Sequence, residues 1–222
     1  MTKKKLAFIH TVAGPYADLA KEILPDVDTL HVTDELLLKT VIAAGGLTPF
    51  IYRRLVDNVV AAEQAGADVV QVTCSSISPC VDVARLMVSI PVLKIDEPMV
   101  DQAIAIGARI GIAATSPSTL KPTTELTHLK AAQANKQVQV DSVLCEGAFD
   151  AMYYGGDTDT HDRIIRDYLK QMIARNDVIM LAQGSMARVA DTIPTEEKLI
   201  PILTSPRLAL EHVKQVIDAL GD

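Results

Sequence analysis

The side chains with most chemistry to offer stand at the ends of two short apolar runs. In Asp68-Val69-Val70-Gln71-Val72-Thr73-Cys74-Ser75-Ser76 an apolar run delivers a thiol into a loop of small hydroxyl residues. Asn176-Asp177-Val178-Ile179-Met180-Leu181-Ala182-Gln183-Gly184-Ser185 repeats it, keeping the aspartate and the final serine but placing Gln183 where the first copy has Cys74. A thiol beside hydroxyl and backbone N–H donors can carry a proton or attack as a nucleophile, and a lowered pKa would favour either role. A free cysteine is often no more than a small buried hydrophobe. The strand-end position and polar neighbours of Cys74 tip the reading to catalysis, whereas Cys80 and Cys145 lack such neighbours and read as structural.

Other candidates lie at the ends of the first strand of each half. The loops His10-Thr11 and Thr115-Ser116-Pro117-Ser118-Thr119 offer hydroxyl and amide donors that could hold a carboxylate, with Thr115 and Thr119 the best ligands; such residues serve equally as helix caps. His10 is either a general acid or substrate donor, or a satisfied strand-end histidine. Asp34 and Glu146 close the second strands, as paired helix caps or pocket residues, and His161-Asp162 reads as a cap for the helix that follows. No phosphate loop, dinucleotide fingerprint, zinc-protease or Ca²⁺-loop motif is present, so nucleotide and metal readings are weak.

The elements that must position these residues follow from a repeat. Gln183 lies 109 residues after Cys74, Gly155-Gly156 lies 110 after Gly45-Gly46, and Ile200-Pro201 lies 110 after Ile90-Pro91. Strands are expected at Lys5 to Ile9, Thr29 to Val32, the Cys74 run and Ile90 to Ile95, then at Arg109 to Ala113, Gln139 to Cys145, Asp177 to Ala182 and Ile200 to Leu203. Helical segments intervene, so each half should be an α/β unit with a parallel sheet and right-handed crossovers. Ligands of such sheets bind beyond the carboxyl ends of the strands, where the candidates above stand.

The bulk properties suit two cores. The chain has 222 residues, 49% of them hydrophobic, and a net charge of −7 from 21 Lys and Arg against 28 Asp and Glu. Without a basic run, nucleic acid or an anionic membrane is a poor partner and a small molecule a better one. With no signal-peptide pattern and no run of membrane-spanning length, the expectation is a soluble cytoplasmic protein. The three cysteines suggest neither a disulfide framework nor a zinc site.

Taken together, the duplicated halves, Thr73-Cys74-Ser75-Ser76, Ile112-Ala113-Ala114-Thr115 with Thr119, and Leu181-Ala182-Gln183-Gly184-Ser185-Met186-Ala187 resemble the aspartate/glutamate/hydantoin racemase superfamily, which includes arylmalonate decarboxylases and maleate isomerases. The resemblance covers nearly the whole chain. It implies two flavodoxin-like domains with parallel four-stranded sheets related by a pseudo-twofold, the first spanning residues 1–95 plus 206–222 and the second 96–205. It also implies a cofactor-independent, metal-free site between them that moves a proton beside a carboxylate. Racemases of this family use two cysteines on opposite faces of the substrate carbon; the second would fall at Gln183, which cannot carry a proton.

The expectation is an enzyme acting on a small carboxylic or amino-acid-like substrate through an enediolate-like carbanion, with Cys74 as single acid/base. Racemisation, isomerisation, decarboxylation and lysis all fit that intermediate. His10, Thr11, Ser75, Ser76, Thr115, Ser118, Thr119, Gln183, Gly184 and Ser185 would line the substrate, and a homo-oligomer is left open. The alternatives are a non-catalytic acid-binding or regulatory protein, and an isomerase or hydrolase with Cys74 as covalent nucleophile.

Overall fold

The computed structural model describes residues 3–14, 16–194 and 198–221. The chain divides into two compact units, Met1–Ile95 with Pro206–Asp222, and Asp96–Ser205. Each holds a four-stranded parallel sheet in which the strand that comes first in sequence lies between the second and the third, with the fourth beyond the third. The α/β class and the two parallel sheets agree with the expectation.

In the first unit β1 (Lys5–His10), β2 (Asp28–Thr33), β3 (Val69–Val72) and β4 (Val92–Lys94) alternate with α1 (Tyr16–Ile23), α2 (Glu35–Ala44), α3 (Pro49–Gln64) and α4 (Ser78–Ala84). Side chains on a strand alternate between faces, and both faces here are apolar. Ala7, Ile9, Val70 and Val72 meet Leu37, Val41, Ile51, Leu55, Val59 and Val81 from α2, α3 and α4. Leu6, Phe8, Val69 and Leu93 meet Tyr16 and Ala20 of α1 and Ala209, Leu210, Val213 and Ile217 of the last helix, α10 (Ser205–Leu220). Gly45 ends α2 at φ 67°, a left-handed position that suits glycine.

The second unit repeats the plan. Here β5 (Arg109–Ala114), β6 (Gln139–Leu144), β7 (Val178–Leu181) and β8 (Ile202–Thr204) alternate with α5 (Glu97–Ile106), α6 (Pro117–Gln133), α7 (Ala148–Tyr153), α8 (Thr158–Ile173) and α9 (Ala187–Thr192). On one face Ala113, Ile179 and Leu181 pack with Ile165, Leu169, Met172 and Val189 of α8 and α9. The opposite face is covered by α5 and α6.

The two ladders match pair for pair. Leu6 to Ile9 pair with Val69 to Val72 as Ile110 to Ala113 pair with Val178 to Leu181. The repeated aspartate has the same task in both. Asp68 accepts a hydrogen bond from the Lys5 backbone N–H at 2.7 Å, and Asp177 accepts from the Arg109 N–H at 2.8 Å, so each carboxylate closes the entry of the first strand. Gly107 is needed beside it, because a Cβ there would fall on the Asp177 side chain.

Three expectations need correction. The β3 ladder stops at Val72, so Thr73 and Cys74 belong to the loop edge, although Thr73 N–H still bonds Ile9 O at 3.0 Å. His161 and Asp162 lie inside α8 rather than capping it; the cap is Asp157, whose carboxylate accepts from Thr160 N–H at 3.0 Å. Asp34 pairs by position with Cys145 and not Glu146, since Asp34 N–H bonds His10 O and Cys145 N–H bonds Ala114 O, both at 2.8 Å.

Candidate active-site residues at two strand ends

In both sheets the chain order reverses between the first and third strands, which leaves their carboxyl ends side by side at a switch point. This brings Thr11 to Cys74 in the first unit and Thr115 to Gln183 in the second.

Cys74 is extended (φ −130°, ψ 116°) and leads into a short 3-10 turn, Ser75–Ile77, before α4. Its partly buried thiol is met by the Thr11 and Ser76 hydroxyls and by the N–H groups of Ser76 and Ile77. All four are donors that favour a thiolate. Burial nevertheless outweighs them and pushes the Cys74 thiol up from its ordinary value. This reverses the expected lowering. Desolvation penalises the charge more than four neutral donors recover, and Cys74 rests as a thiol with a thiolate cradle around it. Burial also raises Cys80, with the charge of Asp82 adding to it, and Cys145, each to about 12.

Thr11, Ser75 and Ser76 are themselves buried, and the Thr11 and Ser76 hydroxyls serve the sulfur. His10 is also buried, with both ring nitrogens engaged: Nδ1 lies 2.9 Å from Thr73 Oγ1 and Nε2 2.9 Å from His31 Nδ1. Because Thr73 donates its proton to Ile9 O at 3.2 Å, it accepts from His10 Nδ1–H, and His10 Nε2 accepts from His31. Burial, then the charge of His31, push His10 down to about 4. The general-acid reading therefore gives way to that of a satisfied strand-end histidine.

Sequence reasoning missed Tyr16 and Thr73. Tyr16 lies tilted against His10 with ring centroids 5.4 Å apart, its hydroxyl reaches toward Thr73 O at 3.5 Å, and burial followed by the Cys74 charge raises its pKa. The available signal was an aromatic hydroxyl opening the helix directly after the His10 loop.

In the second unit Gln183 Oε1 accepts from Thr115 N–H at 2.6 Å and from Thr115 Oγ1 at 3.0 Å. Thr115 thus spends its donors on Gln183, which corrects its assignment as a direct carboxylate ligand. Ser116 caps α6, accepting from Ser118 N–H at 3.3 Å, with the Ser116 and Ser118 hydroxyls 2.9 Å apart. Thr119 is buried beneath this cap, while Gly184 and Ser185 form the half-buried turn after Gln183. Asp34, buried in the first unit, accepts from Arg54 at 2.6 Å and Asn58 at 2.9 Å, and Glu146 is exposed. His161 and Asp162 form a separate structural cluster, with Asp162 bonded to His161 at 2.7 Å and to Arg188 at 2.8 Å.

The family model described as Asp/Glu/Hydantoin racemase matches residues 18–213, and the chain belongs to that family. No curated protein matches the chain significantly by sequence. Among solved structures, allantoin racemase from Klebsiella pneumoniae is 17% identical with a TM-score of 0.70, covering 98% of this chain and 89% of that one. Glutamate racemase from Francisella tularensis in complex with D-glutamate is 16% identical with a TM-score of 0.73, covering 98% and 82%. Aspartate racemase from Picrophilus torridus is 13% identical with a TM-score of 0.68, covering 98% and 94%. At these identities the likeness is one of fold. Among the described residues no helix is long and apolar enough to cross a membrane.

Proposed function

We propose that this member of the racemase family moves a proton at the carbon beside a carboxylate of a small carboxylic or amino-acid-like substrate, without a cofactor, with Cys74 as the single acid/base. The observation that carries the reading is the convergence of four donors on the Cys74 sulfur at the switch point. They hold the charge that sulfur bears after it gives up its proton, so that the donating and accepting forms are both accommodated. The structural neighbours named for allantoin, glutamate and aspartate racemisation support the substrate class.

The proton balance favours donation. A thiol held above its ordinary pKa is ready to protonate a carbanion, leaving a thiolate that recovers its proton from water. Such a carbanion arises by loss of carbon dioxide from a malonate-type acid, or by abstraction of a proton from an amino-acid-like one. In the latter case Cys74 must first ionise, and the rate rises with pH. A two-thiol racemase is disfavoured because Gln183 stands at the second thiol's position.

The test is a thermal-shift panel of malonates, aspartate and glutamate enantiomers and allantoin. Acids that bind are then followed for deuterium incorporation in D₂O. Incorporation by the wild type but not by Cys74→Ser supports the reading. Binding with no incorporation and no turnover identifies instead an acid-binding protein.

A further inference from the structure

We infer that Gln183 is a specificity-determining residue that presents a fixed amide NH₂ to a carboxylate oxygen of the substrate, with Thr115 as the positioning residue that locks it; this rests on the reading of the site as one for a small acid. The two ends of an amide look alike, but the partners here tell them apart. The Thr115 backbone N–H can only donate, and it lies 2.6 Å from Gln183, so the atom facing it must be the oxygen. A flipped amide would set donor against donor. The Thr115 hydroxyl, at 3.0 Å from the same oxygen, gives a second bond that fixes the plane of the group.

The NH₂ is thereby turned away from Thr115, and among the described residues it makes no hydrogen bond. The same holds for the hydroxyl of Ser185, two residues on, in the half-buried turn that follows. Glycine at 184 puts no side chain between them. The position is equivalent to that of Cys74, whose sulfur is served by Thr11 as Gln183 is served by Thr115. In one unit the threonine braces a group that can exchange a proton, and in the other it braces an amide whose free NH₂ end can only donate a hydrogen bond. A fixed NH₂ can only donate, so it selects an acceptor oxygen over an ammonium group, and the neighbouring hydroxyl can add a second donor.

The test follows the side-chain NH₂ signals of Gln183 by ¹⁵N NMR, assigned by their loss in Gln183→Glu, during titration with malonate and succinate and, as a control, 1,3-diaminopropane. A saturable shift with an acid and none with the diamine is expected. Gln183→Glu keeps an oxygen for Thr115 but replaces the donor by an anion, and should weaken acid binding at least tenfold. Thr115→Val should weaken it several-fold and Thr115→Ser restore it, a rescue that a purely structural role of Gln183 would not show. If malonate or succinate moves the Ser75 to Ile77 amides while the Gln183 signals stay still, the acid binds without Gln183 and the inference fails, though the proposed function stands. If neither acid moves either set, the Gln183 NH₂ takes no small dicarboxylate and the inference fails, while the proposed function is decided by its own wider panel.

Discussion

At the residue scale the balance on Cys74 sets the chemistry. Burial raises the thiol while the Thr11 and Ser76 hydroxyls and the Ser76 and Ile77 N–H groups oppose it. In the native protein Cys74 should therefore alkylate with iodoacetamide along a pH curve whose midpoint lies above the ordinary thiol value of about 8.5. Thr11→Val should move that midpoint further up by removing a donor, and Cys80 and Cys145 should stay unlabelled. A Cys74 midpoint below 8.5 would show that the donors win. Cys74 and Thr11 were legible in the sequence because each follows an apolar run at a strand end. The bond from Thr115 to Gln183 was not, since it joins residues 68 apart and depends on the parallel register of β5 and β7. His10 was left between two readings because only the neighbouring strand, bringing His31 to its far nitrogen, decides between them.

At the scale of elements, the repeat was readable because it is written in groups with a local task. Asp68 and Asp177 close strand entries, Gly45 ends a helix, and the apolar runs fill both faces of a sheet. Asp177→Ala should lower the thermal midpoint more than Asp68→Ala, since Asp177 also bonds Ala108 N–H and the Arg109 guanidinium. Equal losses would mean that the strand-entry bond alone matters. Asp34→Ala leaves the Arg54 and Asn58 donors without their acceptor and should cost about 1–3 kcal/mol in chemical denaturation. A loss below about 0.5 kcal/mol would place those bonds among the weak surface pairs. The reading of His161-Asp162 as a cap failed for a physical reason. The helix begins a turn earlier at Asp157, and the buried imidazole and carboxylate are instead held by Arg188 of α9, a long-range contact that no local pattern announces.

For the whole molecule, acid should act through the His10 and His31 pair. The folded protein holds His10 at about 4 against an ordinary 6.5, so between these values the unfolded chain binds a proton that the folded chain does not. Stability must then fall as pH drops from 6.5 to 4, and His31, shifted the same way, adds to the slope. His10→Gln should flatten the dependence of the thermal midpoint on pH in that window. An unchanged slope would assign it to the carboxylates. At the alkaline end Cys80 and Cys145, raised to about 12, reverse the sign, and stability should decline as pH rises above about 9. The most direct test of the account is deuterium incorporation at the carbon beside the carboxylate, measured in D₂O for an acid that binds, with wild-type protein and with Cys74→Ser. The account predicts incorporation by the wild type and a loss of at least about a thousandfold in the variant, whose hydroxyl is too weak an acid to replace the thiol. Incorporation by Cys74→Ser within tenfold of the wild-type rate would contradict it.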